Sequence, residues 1–287
     1  MKTIAAEMRI FKGSGILMVA AIALLAAYYT VIHKKSNNSG ISNNNVAAQT
    51  DTLKVKPGQV EVLKDSSVSI EFLTGKFNPA KDTSFTECDL EYANRTGIFL
   101  QVEAYKAFIK MFYAAKNDGV NLKIISGARN FNYQKSIWEQ KWNGGRLVDG
   151  KNLANTVKDP VERATVILKY SSMPGTSRHH WGTDMDLNSM ENKYFETAEG
   201  KKIYNWLSNN ASKYGFCQPF SALGENRKTG YQEEKWHWSY LPLAKIFLKE
   251  YQKKVTYDHI TGFAGSQTAK ELGVIENYVM SIYQGCE

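Results

Sequence analysis

Cysteine is scarce in this chain of 287 residues, and its three cysteines, Cys88, Cys217 and Cys286, lie far apart. The absence of a Cys-x-x-Cys spacing argues against a thiolate metal site. One disulfide with a spare thiol and three free thiols are both compatible with this pattern. Proline is also rare, at 6 residues, while aromatic residues make up 12% of the chain. We therefore expect a globular protein rather than a disordered one.

The net charge of +8 suggests attraction to an acidic partner such as nucleic acid, anionic lipid or an anionic cell wall. The basic residues are nevertheless dispersed, and the runs Lys34-Lys35 and Lys253-Lys254 are only doublets. No basic stripe interleaved with aromatic residues is present in the sequence. We therefore expect no nucleic-acid partner.

An almost unbroken apolar run extends from Gly15 to Ile32, with basic residues on both sides. Its length is at the lower limit for a membrane-spanning helix and above that of a typical signal-peptide core. An anchor and a signal would both send the remaining chain across a membrane, and the lack of a small-x-small cleavage site favours the anchor. The expected organisation is a cytoplasmic N-terminus (1–14), a transmembrane anchor or uncleaved signal (15–33), a flexible tether (34–59) and a globular domain with a C-terminal tail (60–287).

The hydrophobic pattern predicts short strands that alternate with helices, without the regular spacing of β-α-β units. The predicted helices follow Val102, Asp159, Thr197 and Pro242. The predicted strands are 122–125, 179–187 and 236–240, and residues 60–72 are also expected to be extended. This order predicts an α+β fold with a small antiparallel sheet and flanking helices.

Two short segments carry side chains suited to a metal site. His179 and Asp186 lie in the first segment, and His237 lies about fifty residues later. Two imidazoles and one carboxylate are the ligand set of a catalytic zinc with an open fourth position, which we expect to lie at the sheet. Glu234, three residues before His237, is placed to take a proton from a water molecule at the metal.

The neighbours of these residues allow more than one interpretation. On a strand, His180 would point away from His179, which favours a role in supporting a metal ligand or in contacting substrate. Asp184 shares a strand face with Asp186, and it either orients a ligating imidazole or is simply solvated. Trp181, Trp236 and Trp238 either line a pocket or pack in the core, and we expect the core for at least one of them.

The pattern Ser177-x-His179-x-x-Gly182-x-x-x-Asp186 followed by Glu234-x-x-His237-Trp238 resembles the zinc D-alanyl-D-alanine carboxypeptidases of bacterial cell-wall metabolism. This family includes the vancomycin-resistance carboxypeptidases and belongs to a wider group with lysostaphin-type peptidases and the hedgehog domain. Ile124–Arg129 with Gln134 is similar to the family's Ser-Gly-Tyr-Arg segment and its following Gln. The resemblance covers roughly residues 100–248. Ala128 stands where the family usually has Tyr, and Asp184 where it usually has a small residue.

The resemblance implies roles for individual residues. Its spacing selects Asp186, with His179 and His237, as ligands of one zinc ion per chain, and Glu234 as the base. Arg129 would steady the substrate's carbonyl oxygen or its terminal carboxylate, which a planar guanidinium can bind with two parallel donors. Ser177 would contact the substrate's C-terminal carboxylate, and Gln134 would also bind substrate.

The function that the resemblance implies is a membrane-anchored zinc carboxypeptidase that removes the terminal D-alanine from peptidoglycan stem peptides. The expected location is the bacterial inner membrane, with the catalytic domain on the periplasmic or extracellular side. The alternatives are an L,D-carboxypeptidase or D,D-dipeptidase with the same site, or a non-catalytic module that binds peptidoglycan or peptide. The presence of Glu234 argues against the last alternative, because a binding module needs no base.

Overall fold

The structure is a computed structural model that describes residues 68–287. The expected cytoplasmic N-terminus, anchor and tether all lie outside the described residues, as does the start of the expected extended segment at Val60. Within 68–287, no helix is both long enough and apolar enough to cross a membrane.

The predicted α+β class is confirmed. The α-helices of the described region are α1 (Ile70–Leu73), α2 (Val102–Asn117), α3 (Phe131–Trp142), α4 (Leu153–Thr156), α5 (Pro160–Leu168), α6 (Ala198–Asn210) and α7 (Leu241–Lys254). The strands are β1 (Phe85–Glu87), β2 (Phe99–Gln101), β3 (Ile124–Ser126), β4 (Asp184–Leu187), β5 (Phe216–Cys217) and β6 (His237–Tyr240). Single 3-10 turns connect several of these elements, among them Arg178–Trp181 just before β4.

The strands form two antiparallel sheets. β1 pairs with β2, and the larger sheet has the order β3-β4-β6-β5. In the larger sheet, Asp186 of β4 lies opposite His237 of β6, and Asp184 lies opposite Ser239. Because directly opposed side chains on one face of a sheet lie about 5 Å apart, this register brings the predicted ligands together.

Capping residues explain why two of the helices begin where they do. The Asp159 carboxylate accepts a hydrogen bond from the Glu162 amide (2.8 Å), and Pro160 occupies the first turn of α5. The Thr197 hydroxyl accepts from the Gly200 amide (3.1 Å) at the start of α6. Both starts agree with the sequence prediction, since a side-chain acceptor at the N-cap satisfies an otherwise free helix amide.

The two faces of the larger sheet have different surroundings. Met185 and Leu187 of β4 and Trp238 of β6 point into a hydrophobic core that α2 and α6 cover. Side chains alternate along a strand, so Asp184, Asp186 and His237 lie on the opposite face. A second core, built mainly from α3, α5, α7 and the C-terminal segment, packs beside that polar face.

A disulfide joins Cys217 of β5 to Cys286, with the two Cα atoms 5.7 Å apart. The bridge fixes the end of the chain to the edge strand of the larger sheet. Cys88 is a buried free thiol. Of the two arrangements left open by the sequence, the structure therefore has one disulfide and one spare thiol.

Two predicted extended segments are wrong in part. Ile70–Leu73 is a short helix, because the Ser69 side chain caps it by accepting from the Phe72 amide (3.1 Å). The predicted strand 179–187 begins only at Asp184, because Arg178–Trp181 forms a 3-10 turn that ends at Gly182. Gly182 has a left-handed backbone conformation (φ 68°), which glycine adopts without a steric penalty.

Candidate active site

Three buried side chains meet on the polar face of the larger sheet. His179 comes from the 3-10 turn, Asp186 from β4 and His237 from β6. One potential ligand atom from each residue lies within 4.8 Å of the other two. The residues predicted as metal ligands are therefore brought together, although they are far apart in the chain.

Unpaired polar atoms test whether these residues fit a metal ion. His179 Nε2 and Asp186 Oδ1 are buried, and neither has a hydrogen-bond partner among the described residues. Asp186 Oδ1 lies 3.3 Å from His179 Nε2 and 3.5 Å from His237 Nδ1. Because buried polar atoms are costly to leave unpaired, their convergence fits a cation between them. The donor set, two imidazoles and one carboxylate, is that of a catalytic zinc.

The orientation of His179 is set by the backbone of Gly127. His179 Nδ1 lies 2.8 Å from the Gly127 carbonyl oxygen, which leaves Nε2 directed at Asp186 and His237. A Cβ atom at Gly127 would lie only 2.5 Å from the Phe99 carbonyl oxygen, so the close backbone approach requires glycine. Such a carbonyl contact fixes the tautomer of a metal-ligating histidine.

The orientation of His237 is set by Asp184, which settles the first of the two interpretations of that residue. His237 Nε2 lies 2.9 Å from Asp184 Oδ2, and Nδ1 faces Asp186 and Glu234. Asp184 also accepts hydrogen bonds from the Thr183 hydroxyl (2.7 Å), the Ser239 hydroxyl (2.8 Å) and Arg178 Nε (2.9 Å). Asp184 thus holds the imidazole with Nδ1 directed at the metal position.

The pKa values of this pair follow from its surroundings. Burial alone would raise the pKa of Asp184, but the Arg178 guanidinium and the His237 imidazole outweigh burial and hold it well below its usual range. Burial likewise would lower the pKa of His237, but hydrogen bonds to Asp184 and Glu234 outweigh it and raise that pKa to about 9. In the metal-free protein, His237 is therefore protonated at neutral pH.

Glu234 lines the same cavity as the triad of His179, Asp186 and His237. Its Oε2 lies 3.1 Å from His237 Nδ1, and the side chain is buried. Burial, as the largest effect, raises the pKa of Glu234 above its ordinary value. The adjacent Glu233 instead pairs with Lys235 (3.9 Å) near the surface. A buried carboxylate with a raised pKa beside a metal position is suited to accept and return a proton.

Arg129 follows β3 and borders the same site. Its Nη2 lies 3.7 Å from Asp186 Oδ2, while its buried Nε has no hydrogen-bond partner within residues 68–287. Two backbone contacts fix its position: the Arg129 amide donates to the His179 carbonyl (3.0 Å), and the Arg129 carbonyl lies 2.6 Å from His180 Nδ1. Arg129 thus presents unused donors beside the metal ligands.

His180 supports the site from behind and does not reach its cavity. Its Nδ1 contacts the Arg129 carbonyl, and its Nε2 accepts a hydrogen bond from the Gly175 amide (3.0 Å). Burial is the largest cause of the lowering of the His180 pKa to about 3, which keeps the ring neutral. A neutral ring can donate at one nitrogen and accept at the other, as both contacts require.

The remaining predicted residues divide between the cavity and its support. Ser177 and Trp236 line the same cavity as the metal ligands. Trp181 and Trp238 are instead buried in the two hydrophobic cores. Gln134 is not among the lining residues, and its Nε2 instead donates to the Ser172 carbonyl (2.8 Å). The structure therefore places Gln134 behind the wall of the site, where it holds a lining residue in position.

The cavity has a volume of about 520 Å³ and includes residues that the sequence analysis did not single out. Among these are Arg95, Tyr133, Lys141, Arg146 and Tyr170. A smaller cavity of about 300 Å³ adjoins it and is lined in part by Ala128. None of the residues named for the larger cavity belongs to the two motifs. Tyr133 and Lys141 lie on α3, and Tyr170 lies in the loop between α5 and the 3-10 turn, so their placement depends on how these segments pack.

The comparisons with known proteins agree with this geometry. The family model described as VanY, D-alanyl-D-alanine carboxypeptidase, matches residues 97–243. A putative carboxypeptidase of Bacillus subtilis, YodJ, is 33% identical over 172 residues, which are 55% of this chain and 55% of the relative. A D-alanyl-D-alanine carboxypeptidase of Enterococcus faecalis is 28% identical over 131 residues, or 46% of this chain and 44% of the relative. The chain thus spans about half the length of these curated relatives.

Two solved structures are also similar. One is a vancomycin-resistance D,D-pentapeptidase, a VanY mutant in complex with Zn(II) (TM-score 0.44, 22% identity, 66% of this chain and 92% of the other). Another is the LD-carboxypeptidase LdcB (TM-score 0.44, 26% identity, 61% of this chain and 79% of the other). The family model covers more than half of the chain, and the residues it spans include every member of the metal triad. The chain therefore belongs to the VanY family of D-alanyl-D-alanine carboxypeptidases, which confirms the predicted family.

Proposed function

We propose that this protein is a zinc-dependent D-alanyl-D-alanine carboxypeptidase that removes the terminal D-alanine from peptidoglycan stem peptides. The observation that carries the proposal is the placement of Glu234 beside the open side of the triad His179, Asp186 and His237. A metal-binding or peptide-binding module would have no use for a buried carboxylate at that position.

Different groups in the site have different roles in hydrolysis. Bound zinc supplies Lewis acidity, which lowers the pKa of water and polarises a carbonyl group. Glu234 takes a proton from the attacking water and later gives it to the amino group of the departing D-alanine. The new C–O bond forms first, and the peptide C–N bond breaks once the leaving nitrogen has received the proton. Because Glu234 has passed on the proton that it took from water, it ends the cycle unprotonated.

Arg129 stabilises negative charge on the substrate. Its donors face the cavity next to Asp186, where a substrate carbonyl oxygen or a terminal carboxylate would lie. A guanidinium can give either group two parallel hydrogen bonds, and the pocket walls shield those bonds from water. Ser177, at the turn that carries His179, lines the same part of the cavity and offers a further donor to the carboxylate.

The decisive experiment compares Glu234→Gln with Glu233→Gln. Mass spectrometry would follow pentapeptide, tetrapeptide and D-Ala-D-Ala substrates after incubation with zinc-loaded protein. Glu234→Gln should bind a full equivalent of zinc yet lose at least about 100-fold in kcat, because an amide cannot accept the proton. Glu233→Gln, whose side chain faces the surface, should keep its activity.

Each other outcome has a definite meaning. Near-normal turnover by Glu234→Gln would transfer the role of base to another residue and contradict the mechanism. Release of D-alanine from the tetrapeptide alone would replace the D,D-activity by an L,D-activity, and cleavage of the dipeptide alone would identify a D,D-dipeptidase. Zinc binding without cleavage of any of them would leave a binding module.

We also propose that the catalytic domain lies outside the cytoplasm, on the periplasmic or extracellular side of the bacterial inner membrane, and is anchored by the apolar run 15–32. Two observations support this location: the length and charged flanks of that run, and the disulfide Cys217–Cys286. Disulfides persist mainly in oxidising compartments, and mature stem peptides are also found outside the cytoplasm.

Protease accessibility tests the location. Protease added to cells with a permeabilised outer layer and an intact inner membrane should digest the domain. Protection until the inner membrane is lysed would place the domain in the cytoplasm.

A further inference from the structure

One face of α3 forms a wall of the cavity. Tyr133, Ile137 and Lys141 all line it, and they follow one another at intervals of four residues. Residues four apart lie on the same side of an α-helix, so these side chains form a continuous stripe. The helix begins directly after Arg129 and Asn130, and the stripe therefore leads away from the metal ligands towards Lys141.

The charge of the cavity wall is unbalanced. Arg95, Lys141 and Arg146 line it, and in the described part of the chain none of them lies within 4.0 Å of a carboxylate. The lining carboxylates, Asp186 and Glu234, both belong to the metal centre. A terminal carboxylate bound at Arg129 would balance one positive charge and leave those three without partners.

Lys141 lacks a carboxylate partner, but a hydrogen bond holds its side chain in place. Its Nζ donates to the Ser171 hydroxyl at 2.5 Å, and Ser171 is itself buried in the cavity wall. An ammonium group has three donors, so two remain for a ligand. Burial, with the neighbouring charges of Arg146 and Arg129, lowers the pKa of Lys141 to about 8. An anion bound beside it would raise that pKa back towards its ordinary value.

We propose that Lys141, assisted by Arg146, binds a second carboxylate of the peptide substrate, distinct from the C-terminal one. This proposal rests on the proposed carboxypeptidase function and names the substrate class: acidic stem peptides with a free internal carboxylate. Eight residues of α3 separate Tyr133 from Lys141, a rise of about 12 Å, which matches about three or four residues of extended peptide.

Two synthetic peptides provide the test. The first is L-Ala-γ-D-Glu-L-Lys-D-Ala-D-Ala, whose glutamate has a free α-carboxylate, and the second carries a carboxamide at that single position. Binding is measured by calorimetry on zinc-loaded protein in a Glu234→Gln background, so that it does not depend on turnover. KM and kcat for both peptides are measured separately on protein with Glu234 intact.

The protein should bind the free acid about 10-fold or more tightly than the amide, the value of one hydrogen bond between charged groups. Lys141→Gln should reduce this ratio to near one, and Lys141→Arg should retain part of it because the charge is kept. The matched control is Lys135→Gln on the same helix, since Lys135 pairs with Glu139 (3.8 Å) outside the cavity. That variant should leave the ratio unchanged.

Equal binding of acid and amide by the unsubstituted site would overturn the proposal, as would an equal loss of affinity for both peptides in Lys141→Gln. Failure of the carboxypeptidase function has a different signature: neither peptide would release D-alanine. The binding ratio would then still decide the role of Lys141.

Discussion

Replacing Asp184 by valine is expected to weaken zinc binding, although Asp184 is not itself a zinc ligand. The Asp184 carboxylate accepts four hydrogen bonds, one of them from His237 at 2.9 Å, and no part of it is exposed to solvent. Without an acceptor at Nε2, the His237 ring loses the contact that directs Nδ1 at the metal. Loss of such a supporting contact typically lowers metal affinity about 10- to 100-fold.

The same substitution should destabilise the fold. Arg178 is 3% exposed and has Asp184 as its ion-pair partner, so Asp184→Val leaves a buried guanidinium without a counter-charge. Removing one member of a buried pair costs about 3–5 kcal/mol. Since a typical domain has a free energy of unfolding of about 5–15 kcal/mol, the effect should be large in urea unfolding of the metal-free protein.

A double variant separates these two effects. Arg178→Met with Asp184→Val removes both charges, and replacing a whole buried pair by apolar residues is often neutral for stability. Stability should therefore recover, while zinc affinity, measured by competition with a chromogenic chelator, should stay low. Asp118→Asn is the control, because that carboxylate accepts from Trp206 Nε1 (2.7 Å) outside the cavity lining. Wild-type zinc affinity in Asp184→Val, or its full recovery in the double variant, would refute the orienting role.

Three further predictions follow from the site and the fold. Arg129→Lys should lower kcat/KM at least about 10-fold, because an ammonium cannot reproduce two parallel donors; unchanged kinetics would remove Arg129 from the mechanism. Zinc binding at pH 7 should release about one proton, because burial is outweighed by two carboxylate partners that raise the pKa of His237 to about 9. Zinc affinity should therefore increase with pH and level off above about pH 9. The stability that the protonated ring gives the metal-free protein should instead be complete below about pH 6.5 and be lost as the pH rises through 9. Calorimetry in buffers of different ionisation enthalpy measures the released proton, and no release would contradict the assignment. Reduction of Cys217–Cys286, 69 residues apart, should lower the free energy of unfolding by about 4 kcal/mol in urea titrations, and an unchanged midpoint would contradict it.

The residues of the metal centre could be predicted because their chemistry is local. His179 and Asp186 share one short segment, and Glu234 and His237 share another. Alternation places both Asp184 and Asp186 on one strand face, and the spacing of the family resemblance selects Asp186 as the ligand. Helix starts at Asp159 and Thr197 were predictable for the same reason, since a cap depends on neighbouring residues. These features need only a few residues of sequence to specify them.

Other features depend on the tertiary structure and left no local signal. Nothing near Lys141 in the sequence indicates that α3 will form a cavity wall, and nothing near Arg178 indicates that it will neutralise Asp184. The partner of Cys286 could not be chosen, because the disulfide depends on how the C-terminal segment packs on β5. The strand predicted from His179 was wrong in its first half, because the left-handed backbone at Gly182 ends a turn and the pattern of side chains does not show this.

The disulfide between Cys217 and Cys286 also has a consequence for how the molecule withstands proteolysis. The covalent loop that it closes contains both Glu234 and His237. Within that loop, residues 222–226 form an exposed stretch of the kind that proteases cut first. A single cut there leaves both fragments joined through sulfur, so the strand that carries His237 stays attached to the rest of the sheet. Such a nicked enzyme would migrate as one species until it is reduced, and it would retain every residue of its active site.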